Sequence, residues 1–86
     1  MPYASYSPEQ VVSRGQEIYE RDIRSRVETG NDGKFVVIDI ETGDFEVDEE
    51  DLMASKRLLA RRPNAVIYGL RVGRRAAYRL GSASRV

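Results

Sequence analysis

Cysteine and histidine are both missing from this 86-residue chain, and each absence removes a class of chemistry. Without cysteine there are no disulfides, thiolate nucleophiles or sulfur-held zinc and iron–sulfur sites. Without histidine as well, the Ser-His and Cys-His nucleophile arrangements cannot be built. No G-x-G-x-x-G or G-x-x-x-x-G-K-[ST] string is present, so the usual phosphate-cradling loops are not indicated. The longest uninterrupted apolar run, Phe35 to Ile38, is far below membrane-spanning length, and Met1 to Ser5 lack the basic and apolar regions of a signal peptide. These features predict a cytoplasmic protein with no cofactor, no metal and no membrane association.

The composition, 41% hydrophobic and 33% charged, is that of a folded, water-exposed domain. The length allows one domain, residues 1–86, with residues 1–6 and 81–86 as flexible ends. A core this thin, without disulfide or metal staples, gains stability by burying surface between copies, which predicts a homo-oligomer, most simply a homodimer.

Acid is also missing from one half of the chain. Residues 1–55 hold all fourteen acids against five bases, and residues 56–86 hold nine bases and no acid. The formal net charge of zero therefore conceals a strong division along the sequence.

Ser7-Pro8-Glu9-Gln10 has the form of a capping box, with Tyr6 and Val11 as its hydrophobic staple. Val11/Val12, Ile18/Tyr19, Ile23 and Val27 then form a helical stripe opposite Glu17, Glu20, Arg21 and Arg24, ending before Gly30. Lys34 to Ile40 is β-branched and aromatic at consecutive positions, as expected of a central strand covered on both faces. Glu41-Thr42-Gly43-Asp44 supplies a turn and Phe45-Glu46-Val47 the returning arm of a hairpin.

Asp48 to Asp51 precede Leu52, Met53, Leu58 and Leu59, with Lys56, Arg57, Arg61 and Arg62 toward the far end. Acids first and bases last complement a helix dipole, and the acidic run suits a helix N-terminus better than a calcium loop. After Pro63-Asn64, Ala65 to Val72 reads as a strand with Val66, Tyr68, Leu70 and Val72 on one face. Arg75 to Leu80 is expected as a short last strand, with Arg75 and Arg79 on one face and Tyr78 and Leu80 on the other, followed by a frayed tail from Gly81. The expected class is α+β: order α-β-β-α-β with room for a further short strand, a small mixed sheet with two helices packed on it.

The segment Phe35 to Gly43 resembles the first motif of the DEDD 3′–5′ exonucleases, where an apolar strand ends in Asp-x-Glu. That resemblance implies metal-holding carboxylates at Asp39 and Glu41. It covers about nine residues, and the family's further acidic motifs have no counterpart here, because no acid follows Asp51. The expectation is therefore no catalytic residue, and acids that keep the strand end soluble.

The arginines are the stronger candidates. Arg61, Arg62, Arg71, Arg74, Arg75 and Arg79 form the expected binding set, contacting either a protein partner or the phosphates of a nucleic acid. A competing role is pairing with the chain's own acids, within the fold or across a subunit contact, which sets partner choice more than stability. An overall neutral charge favours self-pairing over non-specific nucleic-acid binding. The leading expectation is a non-enzymatic interaction module that binds a protein partner through the basic strand region or the first helix, with acidic and basic halves on different surfaces.

Arg14-Gly15-Gln16-Glu17-Ile18-Tyr19-Glu20, Gly33 to Asp44, and Arg61-Arg62-Pro63-Asn64-Ala65 through Arg71-Val72-Gly73 together resemble a family of small uncharacterised bacterial proteins, common in cyanobacteria. The resemblance implies no established activity and no functional residues. By size and fold it implies an antitoxin-like partner of a neighbouring gene product.

Overall fold

Ser7 starts the first helix in the way its sequence predicts. In the computed structural model, which describes residues 6–73 and the backbone of 79–82, the Gln10 amide donates to Ser7 Oγ at 3.1 Å and the Ser7 amide to Gln10 Oε1 at 2.8 Å. Helix α1 (Pro8–Ile18) follows, then a π-helical turn (Tyr19–Ile23) and helix α2 (Arg24–Val27). The π turn has a physical origin in the apolar spacing. Ile18 and Ile23 are five residues apart, too far around an α-helix to share a face, and i→i+5 bonding adds the residue that brings both inward. The Arg24 amide closes this turn on the Tyr19 carbonyl. On the outer side, Glu17–Arg21 and Glu20–Arg24–Glu28 form exposed ion pairs at i,i+4.

Strands β1 (Phe35–Asp39), β2 (Phe45–Asp48), β3 (Val66–Arg71) and β4 (Arg79–Ser82) form one sheet in the order β2-β1-β3-β4. Helix α3 (Asp51–Arg61) links β2 to β3. The fold is thus the expected α+β class, although every neighbouring pair of strands is antiparallel, so the sheet is not of mixed sense. The last strand also reaches further along the chain than expected. Gly81 and Ser82 pair with Ile67 and Val66 and so belong to the sheet, not to a tail. The expected strand positions 75–78, with Arg75 and Tyr78, lie outside the described residues, as do Arg74, 1–5 and 83–86.

The two faces of the sheet are unequal. Val36, Ile38, Ile40, Val66, Tyr68, Leu70 and Val72 pack under the helical run of residues 8–27, through Val11, Ile18, Tyr19, Ile23 and Val27. The opposite face buries a smaller cluster of Val37, Ala54, Leu58, Ala65 and Ile67 beneath α3. β1 therefore has cover on both sides, as its continuous apolar run predicts.

Three consecutive residues dock α1 onto the sheet. Arg14 Nη2 donates to the Ile40 carbonyl at 3.1 Å, and its guanidinium stands 6.0 Å from the Tyr6 ring centre. Gly15 lies against the root of the Tyr68 ring. The Gln16 side chain hydrogen-bonds Tyr68, whose hydroxyl burial nevertheless holds above its ordinary pKa. Arg14-Gly15-Gln16 is accordingly a packing motif.

The apolar pattern of α3 misleads at two positions. Leu52 and Met53 are 64% and 41% exposed, whereas Ala54, Ser55 and Leu58 face the sheet. Ala54, Ser55 and Leu58 set that contact and leave the other pair outside. Replacing Leu52 and Met53 together by lysine is therefore expected to change stability by no more than about 0.5 kcal/mol per site in urea denaturation. A substantially larger loss would mean that these side chains are covered. Among the described residues, no helix is long and apolar enough to cross a membrane.

Candidate functional site

The end of β1 is built around one buried carboxylate. Asp39 is 2% exposed, with Oδ1 accepting from the Glu41 amide at 3.0 Å and Oδ2 from the Thr42 hydroxyl at 3.1 Å. The backbone closes the same turn, since the Gly43 amide donates to the Asp39 carbonyl and the Asp39 amide to the Asp44 carbonyl. Gly43 supplies the positive φ, +85°, that this reversal requires.

Asp39 and Glu41 thus do not act as paired strand carboxylates. β1 ends at Asp39, Glu41 is exposed on the turn, and both Asp39 oxygens are engaged in holding that turn. The expected solubilising role also fails for Asp39, which is an interior turn-former. Among the described residues, no three acidic, histidine or cysteine side chains gather as a metal site.

Facing the turn is the loop after α3. Asp39, Glu41 and Thr42 on one side and Arg61, Arg62, Pro63, Asn64 and Ala65 on the other enclose an open cleft of about 260 Å³. The topology brings them together because β1 and β3 are neighbours, with Asp39 opposite Ile67, so the exit of β1 meets the entry to β3. Two of the six candidate arginines, Arg61 and Arg62, are therefore at this cleft.

Both are already engaged with acids. Arg62 Nε donates to Asp44 Oδ2 at 2.8 Å, and Arg61 Nη2 lies 3.0 Å from Glu46 Oε2 and 3.4 Å from the Phe45 carbonyl. Arg57, which the sequence reading did not single out as a site residue, has more partners. Its Nε meets Glu46 Oε1 and its Nη1 Asp48 Oδ2, each at 2.9 Å, and its Nη2 donates to the Val47 carbonyl at 2.8 Å.

A geometric match underlies this clasp. Four residues of helix rise about 6 Å and two residues of strand about 6.7 Å, so Arg57 and Arg61 can meet Asp48 and Glu46 in step. Acids at every second position and arginines at every fourth were the available signal. The acidic and basic halves consequently interlock on one surface here instead of occupying separate ones. Exposed pairs of this kind are screened by solvent and contribute little each, so they orient α3 more than they hold it down.

Hydrogen bonding from the Glu50 amide, and then from Arg57, holds the Asp48 carboxyl below its ordinary pKa of 3.8. A depressed folded-state pKa contributes stability that is present above the unfolded value and lost as pH falls through the folded one. Asp48→Asn is therefore expected to reduce stability at neutral pH and to flatten the acid limb below about pH 4. Urea midpoints across that range test this, and an unchanged acid limb would contradict it.

Of the remaining candidates, Arg71 stands apart from this cleft. Arg71 stacks 4.8 Å from the Phe35 ring centre and donates from Nε to the Gly33 carbonyl at 3.1 Å. It stands at the other end of β3, roughly 17 Å away along the strand. Arg79 lies in β4 opposite Gly69, its side chain outside the description, and Arg74 and Arg75 are among the undescribed residues. No protein-family model, curated protein or solved structure gives a significant match to this chain.

Proposed function

We propose that the chain is a non-enzymatic interaction module that binds a protein partner, with the cleft between the β1–β2 turn and the α3–β3 loop as its contact. The observation that carries this reading is the joining, at one 260 Å³ opening, of exposed Glu41 on one wall and Arg61 and Arg62 on the other, beside Pro63 and Asn64 of the same loop. Enclosed small-molecule sites usually measure about 300–1,000 Å³. A smaller, open cleft with both charge signs suits one or two anchoring side chains of a polypeptide. The antitoxin-like version, in which the partner is a neighbouring gene product, is what the family resemblance implies.

A nucleic acid is disfavoured at this cleft because Asp44 and Glu46 already neutralise Arg62 and Arg61. Site-specific photocrosslinking from position 64 separates the classes. A crosslinker in place of Asn64 is expected to capture a discrete protein in native lysate, unaffected by nuclease and weakened by Glu41→Arg. Nuclease-sensitive adducts would favour the nucleic-acid reading, and adducts indifferent to Glu41→Arg would remove the cleft from the proposal.

A further inference from the structure

Among the described residues, the strand order leaves β2 at one end of the sheet. Its outward backbone groups can be identified from the ladder. The Asp39 amide bonds the Asp44 carbonyl, and the register pairs Val37 with Glu46 and Phe35 with Asp48. Antiparallel bonding alternates, so residues 44, 46 and 48 bond inward to β1 while Phe45 and Val47 present their amides and carbonyls to the open edge.

Those two outward carbonyls are the ones that α3 reaches. Arg57 Nη2 donates to the Val47 carbonyl and Arg61 Nη2 to the Phe45 carbonyl, while the same guanidinium groups pair with Glu46 and Asp48. We propose that Arg57 and Arg61 form a removable guard on the β2 edge, whose release makes that edge a pairing site for the β2 strand of a second copy of this chain. An unguarded edge offers matching donors and acceptors to an identical strand, which is the hazard that edge protection opposes. The acids supply a second barrier, because self-pairing would set the acidic side chains of one copy against those of the other.

The pairing has a definite geometry. With Phe45 of one copy bonding Val47 of the other, Glu46 faces its own counterpart across the axis in a non-hydrogen-bonded pair. The Cα separation is then about 4.5 Å, within disulfide range. Since the chain contains no cysteine, one introduced thiol reports unambiguously.

The experiment compares two forms of the full chain. Glu46→Cys alone keeps Arg57 on Asp48 and the Val47 carbonyl and Arg61 on the Phe45 carbonyl; the second form adds Arg57→Ala and Arg61→Ala. Mild oxidation is expected to give a several-fold higher yield of linked dimer in the second form, and sedimentation under reducing conditions a larger mass at equal concentration. With Glu46 restored, Lys56→Cys as the single thiol, with and without the two alanines, should show no such difference. Equal yields and equal masses would overturn the proposal, as would equal enhancement at position 56. If circular dichroism shows that the alanine form is unfolded, Arg57→Lys with Arg61→Lys decides the matter. Lysine keeps the charge but lacks the fork that bonds carboxylate and carbonyl together, so linking should again rise, and its failure to rise overturns the guard.

Discussion

Gly15→Ala is expected to destabilise the protein by about 3 kcal/mol, even though alanine is the better helix former by about 1 kcal/mol. A Cβ at this position would overlap Cγ and Cδ2 of Tyr68 and stand 2.6 Å from its Cβ. The conflict is with the root of the side chain, which rotation about its outer bonds cannot relieve, and Tyr68 is fixed in the interior of β3 and 2% exposed. The helix must lift or the strand must bend. For a domain of this size, whose total stability is roughly 4–13 kcal/mol, the loss is a large fraction. It corresponds to a fall in Tm of roughly 12–24 °C.

A coupling measurement identifies the cause. In the Tyr68→Ala background the added methyl meets a smaller obstacle, so the two substitutions should combine to much less than the sum of their separate costs. Strict additivity, or an alanine variant within about 0.5 kcal/mol of the parent, would show that α1 does not sit this close to β3.

Asp39→Ala is the second large effect, at about 2–3 kcal/mol. The substitution removes the acceptors of the Glu41 amide and the Thr42 hydroxyl in a turn where Asp39 itself is buried. Asparagine should restore a good part of the loss, because its carbonyl can still accept from the Glu41 amide. Glu41→Ala, at an exposed position, should cost no more than about 0.5 kcal/mol. Thermal denaturation of the three variants separates a turn-forming carboxylate from a metal-binding pair. Magnesium or manganese that stabilised the parent but neither Asp39→Asn nor Glu41→Ala would overturn the turn-forming account.

These two residues illustrate what was and was not legible. The capping box at Ser7 and Gln10 could be read directly, because its donors and acceptors lie three residues apart and need no tertiary partner. The face shared by Val66, Tyr68, Leu70 and Val72 could likewise be read from the two-residue period of a strand. Gly15 gave no comparable signal, since its role depends on a residue 53 positions later in the chain. Asp39 looked like half of a paired-carboxylate motif because spacing does not reveal that the strand ends there and the chain turns. Leu52 and Met53 share the apolar character of Leu58 yet stay outside, because α3 has more apolar residues than its narrow contact with Val37, Ala65 and Ile67 can cover.

By itself, the sequence determined the element types, the helix starts, the turn at Gly43 and the alternation of acids and arginines that permits a clasp. Each depends on hydrogen bonds or side-chain periods that span only a few residues. Tertiary structure decided that β2 is an edge, that α3 lies across it, and that Arg61 and Arg62 meet the β1–β2 turn at a cleft while Arg71 stands at the far end of the sheet. Strand order and helix placement are set by competition among all apolar faces for burial, a property of the whole chain that no local pattern carries.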